Sequence, residues 1–283
     1  MLVNSNELFN AALKGGYAIP AYNVNNLEWI KFVLEACQED NSPVILAVTP
    51  KSIQYFGGYK VVYDVVNSLI SELNINIPVV LHLDHAKDFD SCKKAIDAGF
   101  TSVMIDASLK TFDQNVDITN KVMDYAKKRG VNVEAELGVI KTDGYGINDR
   151  AYYSDLEDSK NFVIQTGIDS FAPSIGNVHG FYKENDNLDF DLLGAICKEV
   201  KIPLVLHGGS NLDENKLKAA IFCGVVKVNF NTDLMHAWSF AVREYLKKNV
   251  DVYDPRKIIL SGEDALKEVI HKKNCMIGSK NRK

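Results

Sequence analysis

Hydrophobic and polar positions follow two periods along this chain. Short, near-continuous apolar runs recur, and each is followed by a polar turn and then by a segment with helical spacing. The runs are 17–24 (YAIPAYNV), 43–48 (PVILAV), 78–83 (PVVLHL), 102–106 (SVMID), 132–137 (NVEAEL), 168–174 (IDSFAPS), 203–207 (PLVLH) and 225–229 (VVKVN). Runs of this length, rich in Val, Ile and Leu, mark strands buried on both faces, as in parallel sheets. Between them, 27–38, 59–73, 90–98, 112–129, 156–166, 189–200 and 215–223 show the amphipathic spacing of helices. Several of these close on a glycine suited to a left-handed cap: Gly99, Gly130, Gly167 and Gly224. Eight strands alternating with helices predict an α/β protein, a (β/α)8 TIM barrel in preference to an open doubly wound sheet.

No Pro-, Ser- or Gly-rich linker interrupts this pattern, so residues 1–283 read as one domain. The barrel takes roughly 1–237, and a charged helical extension takes 238–283, suited to an oligomer contact. The segment 139–153 (VIKTDGYGINDRAYY) carries no core pattern and is a candidate lid. A net charge of −5 argues against coating nucleic acid or an anionic membrane. The five cysteines are scattered, with no C-x-x-C, which fits free thiols in a reducing compartment. No basic-then-apolar leader and no stretch of about 20 apolar residues is present, so the expectation is a cytoplasmic protein with no membrane span.

In a barrel of this kind the chemistry sits at the carboxyl ends of the strands. The unusual polar residues fall there. The third run ends in His82-Leu83-Asp84-His85, the fourth in Asp106, and the fifth contains Glu134 and Glu136. The sixth leads into His179, and the seventh ends at His207. Imidazole suits zinc, and a catalytic zinc takes three protein ligands and keeps a position open, so His85, His179 and His207 form the expected ligand set. Asp106 and Glu136 either orient those histidines or offer the metal a second position. In a regular strand His82 shares the face of Asp84 and lies opposite His85, a parity that weakens if the chain leaves strand geometry after Leu83; His82 reads as structural or supporting. His236 and His271 fall in helical segments and read as surface residues. His207-Gly208-Gly209-Ser210 and Asn229-Phe230-Asn231-Thr232-Asp233 follow strands seven and eight, the usual phosphate loops of this fold. Glycines there let backbone N–H groups approach an anion, and Ser210 and Thr232 add hydroxyl donors.

These residues, in this order, resemble the class II fructose/tagatose-bisphosphate aldolase family almost end to end, from AYNVNN at 21–26 to GSKNR at 278–282. The pieces that carry the resemblance are LHLDH (81–85), MIDAS (104–108), EAELG (134–138), SIGNVHG (174–180), LHGGS (206–210), KVNFNTD (227–233) and DPRK (254–257). The resemblance implies zinc on His85, His179 and His207, with Asp106 and Glu136 near the metal. It implies Asp84 as the acid/base group and Asn229 as a contact to the bound triose. It implies phosphate binding by Gly180, Gly208, Ser210, Asn231 and Thr232, often with a monovalent cation (Na+ or K+) nearby. A homodimer or homotetramer acting on a small phosphorylated sugar is implied as well.

The chain also departs from the family pattern. Ala86, Asn231 and Pro173 stand where many members have other residues, and the stretch after EAELG lacks the usual Gly-Gly-x-Glu-Asp form, leaving Asp143 as an uncertain substitute for the lid carboxylate. Lys183, Arg256 and Arg282 are the candidates for a distal phosphate contact. The expected reaction is metal-dependent aldol cleavage and condensation of a ketose 1,6-bisphosphate, fructose 1,6-bisphosphate in preference to its C4 epimer tagatose 1,6-bisphosphate. The rivals are a metal-dependent sugar-phosphate epimerase or isomerase on the same barrel, and a barrel kept only as a binding scaffold. Against the second stands the presence of all three metal histidines.

Overall fold

A computed structural model describes residues 2–142, 150–180, 182 and 188–283. Eight parallel strands close into a barrel: β1 (Ile19–Asn23), β2 (Val44–Val48), β3 (Val79–Ala86), β4 (Ser102–Ile105), β5 (Asn132–Leu137), β6 (Ser170–Pro173), β7 (Leu204–Leu206) and β8 (Val225–Phe230). Each strand pairs with its neighbours in chain order, and β8 closes on β1 with Ile19 opposite Lys227. All eight apolar runs are barrel strands. Beyond them the chain forms a two-residue parallel ladder, Lys141–Thr142 against Val178–His179, which period alone could not mark.

The helices are α1 (Asn6–Gly15), α2 (Leu27–Glu39), α3 (Pro50–Phe56), α4 (Tyr59–Glu72), α5 (Phe89–Ala98), α6 (Phe112–Lys127), α7 (Leu156–Thr166), α8 (Phe190–Val200), α9 (Glu214–Phe222), α10 (Thr232–Lys248), α11 (Pro255–Leu260) and α12 (Glu263–Met276). Their starts follow local chemistry. Asn26 accepts from Trp29 N at 2.9 Å, Asp88 from Ser91 N at 2.8 Å, and Thr111 with Gln114 forms a reciprocal capping box. Gly99 and Gly167 close α5 and α7 in the left-handed conformation. Helices α1 and α3 have no counterpart in the expected pattern; both are short, and α3 is defined mostly by its Thr49 cap and Pro50 start. None of the described helices is long and apolar enough to cross a membrane.

The barrel interior is layered. At the amino ends of the strands, α1 plugs the barrel with Phe9 and Ala12, which cluster with Tyr17, Ile19, Ala21, Ile45, Val80 and Val226. Above this apolar floor sits a buried polar layer of His82, Ser102, Glu134 and Lys227. Above that lie Asn23, Asp84 and Asn229 at the mouth. The main apolar core fills the space between the strands and the surrounding helices. The five cysteines are free, with Cys37 and Cys92 buried and Cys275 exposed.

The C-terminal helices pack across the outside of this layer. Helix α10 runs unbroken through position 238, and α12 lies against both α10 and α2. Trp29 meets Trp238 edge to face at 6.1 Å, and Lys267 pairs with Glu35 at 2.8 Å. The buried Tyr22 hydroxyl donates to Asn274 Oδ1 at 2.8 Å.

Candidate metal centre

Strand β3 delivers Asp84 and His85 together, and a backbone irregularity makes this possible. The β3–β4 register shifts between Leu83 and Ala86, and His85 sits at φ 55°, in the left-handed region rarely adopted outside glycine. The strand alternation that would send His85 out of the barrel therefore breaks at the residue where the chemistry needs it. His85 instead turns across the mouth, and its Nδ1 lies 3.1 Å from Asp106 Oδ2.

His179 comes from the short ladder beyond β6, and His207 from the residue after β7. The ring centroids of His85 lie 4.8 Å from His179 and 4.6 Å from His207, and His179 and His207 are 5.9 Å apart. One ligand atom from each of the three lies within 4.8 Å of the others. Their hydrogen bonds select which nitrogens face inward. His85 spends Nδ1 on Asp106, and His207 spends Nε2 on Glu134 Oε1 at 2.8 Å. His207 Nδ1 and His179 Nε2 are buried with no hydrogen-bond partner. Buried polar atoms are nearly always satisfied, so converging bare imidazole nitrogens fit a divalent ion, with zinc suited to a three-histidine set.

Asp106, Glu136 and His85 form a second group whose ligand atoms lie within the same distance. Glu136 Oε2 is buried without a partner, and burial together with the Asp106 carboxylate pushes Glu136 up to about 8. Lys87 and Ser108 both donate to Asp106. Burial opposes the charge on His85, yet Asp84, Asp106 and Glu136 override it and raise it to about 9. This crowding of carboxylates around one imidazole makes the mouth a strong cation site.

Asp84 is held from both sides. Its Oδ2 accepts from Asn23 Nδ2 at 2.9 Å and its Oδ1 from Asn229 Nδ2 at 3.1 Å. Burial pushes its carboxyl up, but His85, His207, Lys227 and His82 outweigh that and hold it well below the usual carboxylate range. Asp84 is thus a fixed, ionised base at neutral pH.

Below it, Lys227 donates to Glu134 Oε2 at 2.6 Å and to His82 Nε2 at 3.3 Å. His82 therefore gives its Nδ1 proton to Ser102 Oγ, 2.8 Å away, and stays neutral. Burial and the adjacent ammonium lower it to about 3. Its supporting place matches the expectation. Glu134 was placed at the mouth beside Glu136 but given no role, and Lys227 and Asn23 were not singled out. The signal for two of them was present: Glu134 is two residues before Glu136 and Lys227 two before Asn229, so each shares a face with a residue already singled out.

A cavity of about 100 Å³ opens at this mouth, lined by Asp84, His85, His179, Gly180, His207, Gly208, Ser210, Asn229, Asn231 and Thr232, with Asn23 and Thr49. Gly208 sits at φ 72°, and a Cβ there would lie 2.0 Å from the Val178 carbonyl oxygen, so only glycine lets this loop pass the strand that carries His179. Tyr182 locks the same crossing by donating to the Gly208 carbonyl at 2.8 Å. Gly209 departs from the expectation that it opens to an anion. Its N–H is given to the Asn229 carbonyl at 2.9 Å, and a Cβ there would lie 2.3 Å from Val228 Cγ1, so the loop passes close against β8. Ser210 Oγ accepts from Asn231 N and Asp233 N at 3.2 and 3.4 Å, and the Asn231 side chain itself makes no cap bond to the first turn of α10. A helix start beside a serine hydroxyl is a ready anion site.

Five other expected residues change or fall elsewhere. Arg256 is exposed and forks onto Asp254 at 3.0 and 3.1 Å, and it does not line the mouth. Arg282 lies over the Tyr17 ring at 4.9 Å, just before β1, at the opposite end of the barrel. Lys183 and Asp143 lie outside the described residues. His236 is exposed as expected, but His271 is half-buried because Asp40 and Glu39 hold its two nitrogens at 2.9 and 3.3 Å.

Residues 3–282 match the family model for fructose-bisphosphate aldolase class-II. A fructose-bisphosphate aldolase of Geobacillus stearothermophilus is 46% identical over 279 residues, covering 98% of this chain and 97% of that protein. One of Staphylococcus epidermidis is 45% identical over 282 residues, covering 99% of each. Among solved structures, the YdjI aldolase from Escherichia coli K12 superposes with a TM-score of 0.86 at 30% identity, covering 100% of this chain and 99% of that one.

Proposed function

Because this chain belongs to the class II fructose-bisphosphate aldolase family, a family of carbon–carbon lyases, we infer that it cleaves fructose 1,6-bisphosphate to dihydroxyacetone phosphate and glyceraldehyde 3-phosphate, and runs the reverse condensation. The observation that carries this reading is the convergence of three histidines, two of them with bare buried nitrogens, beside one ionised, doubly anchored carboxylate. His85, His179 and His207 would hold zinc, with Asp106 and Glu136 beside it. Zinc bound there supplies Lewis acidity toward the substrate carbonyl.

The remaining work belongs to side chains. Asp84 takes the proton of the C4 hydroxyl, C4 becomes a carbonyl, and the C3–C4 bond breaks with its electron pair left on the triose phosphate. Asn23 and Asn229 keep Asp84 aimed during this transfer. Gly180, Gly208, Ser210, Asn231 and Thr232 grip the phosphate of that triose, so binding energy from a remote group steadies the reacting carbons. Gly209 supports the loop by packing on β8. The buried, partnerless Oδ1 of Asn231 suits a monovalent cation such as Na+ or K+ next to that phosphate. A homodimer or homotetramer is proposed as the working assembly, supported by Phe240, Val250 and Tyr253, which are 58%, 82% and 91% exposed on the C-terminal helices and their connection.

The test is a coupled assay of dihydroxyacetone phosphate release from fructose and tagatose 1,6-bisphosphates. Fructose 1,6-bisphosphate is expected to be turned over with the higher kcat/KM. Chelation should abolish the rate and zinc restore it. Asp84→Ala should keep its zinc and lose about 10²–10⁴-fold in kcat, the range for general acid–base catalysis. Full activity in chelator, or normal turnover in Asp84→Ala, would overturn the mechanism.

A further inference from the structure

Helix α12 belongs to the C-terminal region, yet it reaches the loops at the barrel mouth through one buried lysine. Lys273 is 5% exposed, and its ammonium lies 2.6 Å from Asp233 Oδ2 and 5.1 Å from the centre of the Phe230 ring. Asp233 is the second residue of α10, immediately after Asn231 and Thr232. Its two carboxylate oxygens both accept from Asn211 N, at 2.9 and 3.1 Å. Asn211 follows Ser210 on the β7 loop, and it holds φ 59°, a left-handed conformation. Ser210 Oγ in turn accepts from the backbone N–H groups of Asn231 and Asp233, at 3.2 and 3.4 Å. The loops after β7 and β8 are thus tied to each other through Ser210 and Asn211, and Asp233 takes part with both its carboxylate and its backbone N–H.

We propose that Lys273 is a positioning residue that sets phosphate affinity, acting through Asp233 to hold the Ser210–Asn211 turn and the start of α10 in the geometry that receives the triose phosphate. The inference rests on the reading of these loops as the phosphate site. Electrostatics explains why a lysine is used. A carboxylate at a helix start competes with a bound phosphate for the same N–H groups and repels it. The Lys273 ammonium neutralises Asp233 from the side away from the cavity, so Asp233 braces the loop without a net charge facing the substrate. Lys273 does not line the mouth cavity, so it acts on the substrate only through this relay.

The experiment compares the zinc-loaded enzyme with Lys273→Met, Lys273→Arg and Asp233→Asn, measuring kcat, KM for fructose 1,6-bisphosphate, zinc content, and the inhibition constant of inorganic phosphate. Lys273→Met should raise KM and the phosphate inhibition constant together by tenfold or more, with kcat within threefold and full zinc. Lys273→Arg should return both constants to within threefold of the parent. Adding Lys273→Met to Asp233→Asn should raise KM less than the product of the two single effects, because coupled residues are not additive. Unchanged constants in Lys273→Met overturn the relay, as does a fall in kcat and zinc content with KM unchanged. If Lys273→Met does not fold, an unchanged KM in Asp233→Asn serves as the overturning result. If the parent enzyme turns over the sugar but inorganic phosphate does not inhibit it, the phosphate reading of the loops has failed, which is distinct from failure of the relay.

Discussion

At the scale of single residues, the orientation of two of the three imidazoles is set by one carboxylate each. Glu134 accepts from His207 Nε2 and thereby turns Nδ1 inward, and Asp106 does the same for His85 from the other side of the ring. Partners of this kind fix the tautomer and raise ligand basicity. Glu134→Gln keeps a hydrogen-bond acceptor but removes the charge, and it leaves Lys227 buried beside His82 and His207 without its anion. Zinc affinity is expected to fall about 10–100-fold, the usual cost of losing such a partner. Competition against a chromophoric chelator measures it, and an affinity equal to the parent's would reduce Glu134 to a packing role. Of these residues, His85, His207, Asp84, Asp106 and Glu136 were legible in the sequence because each falls at or just past the end of an apolar run, and His179 because it follows five residues after one. The inward turn of His85 was not, since strand parity pointed it outward and only the left-handed backbone at that residue reverses it.

At the scale of elements, the chain end is held by one buried acid at the close of α2. Asp40 accepts from His271, Asn274 and Lys280, each at 2.9 Å, and its carbonyl receives Asn281 N at 2.9 Å. Burial pushes the Asp40 carboxyl up, but the bonds from Lys280, Asn274 and His271 outweigh it and hold it below its usual value. A carboxyl whose folded value is depressed stabilises fully above its unfolded value of about 3.9 and loses that contribution as pH falls through the folded value. Asp40→Asn should therefore cost about 1.5–3 kcal/mol at neutral pH, the scale of a hydrogen bond to a charged group. The gap in melting temperature between parent and variant should stay level from pH 8 to about 5 and narrow below about 4. Thermal melts across that range check it, and a gap that widens on acidification would contradict the assignment. The motif at 278–282 was visible in the sequence, but its address was not. Arg282, read as a candidate phosphate contact, ends at the floor of the barrel because Asn41 and Tyr17 receive it there.

At the scale of the molecule, the proposed zinc joins β3, the segment beyond β6 and the end of β7 through three side chains, and an ion that binds only the folded state stabilises it by mass action. At free zinc 1,000 times its dissociation constant that contribution is about 4.1 kcal/mol. Zinc-loaded protein should melt several degrees above chelator-treated protein, and calorimetry of the two forms reads the difference. Equal melting temperatures would place the metal elsewhere. Light scattering of the zinc-loaded protein should return a dimer or tetramer mass, with Phe240, Val250 and Tyr253 covered in the assembly, and a monomer mass at micromolar concentration would end that proposal.

The sequence by itself determined the barrel, because burial on both faces writes each strand as an apolar run and the alternation with helices leaves little topological choice. It also marked the candidate site, since polar residues break the apolar pattern at the carboxyl ends of the strands. Tertiary structure alone decided how they are used. Which nitrogen of His85 and of His207 faces inward, which carboxylate braces and which stays bare, and that a lysine of α12 reaches Asp233 all depend on contacts between residues tens of positions apart. Local period records which face a residue occupies, but it holds no information about the partner that the closed barrel brings opposite to it.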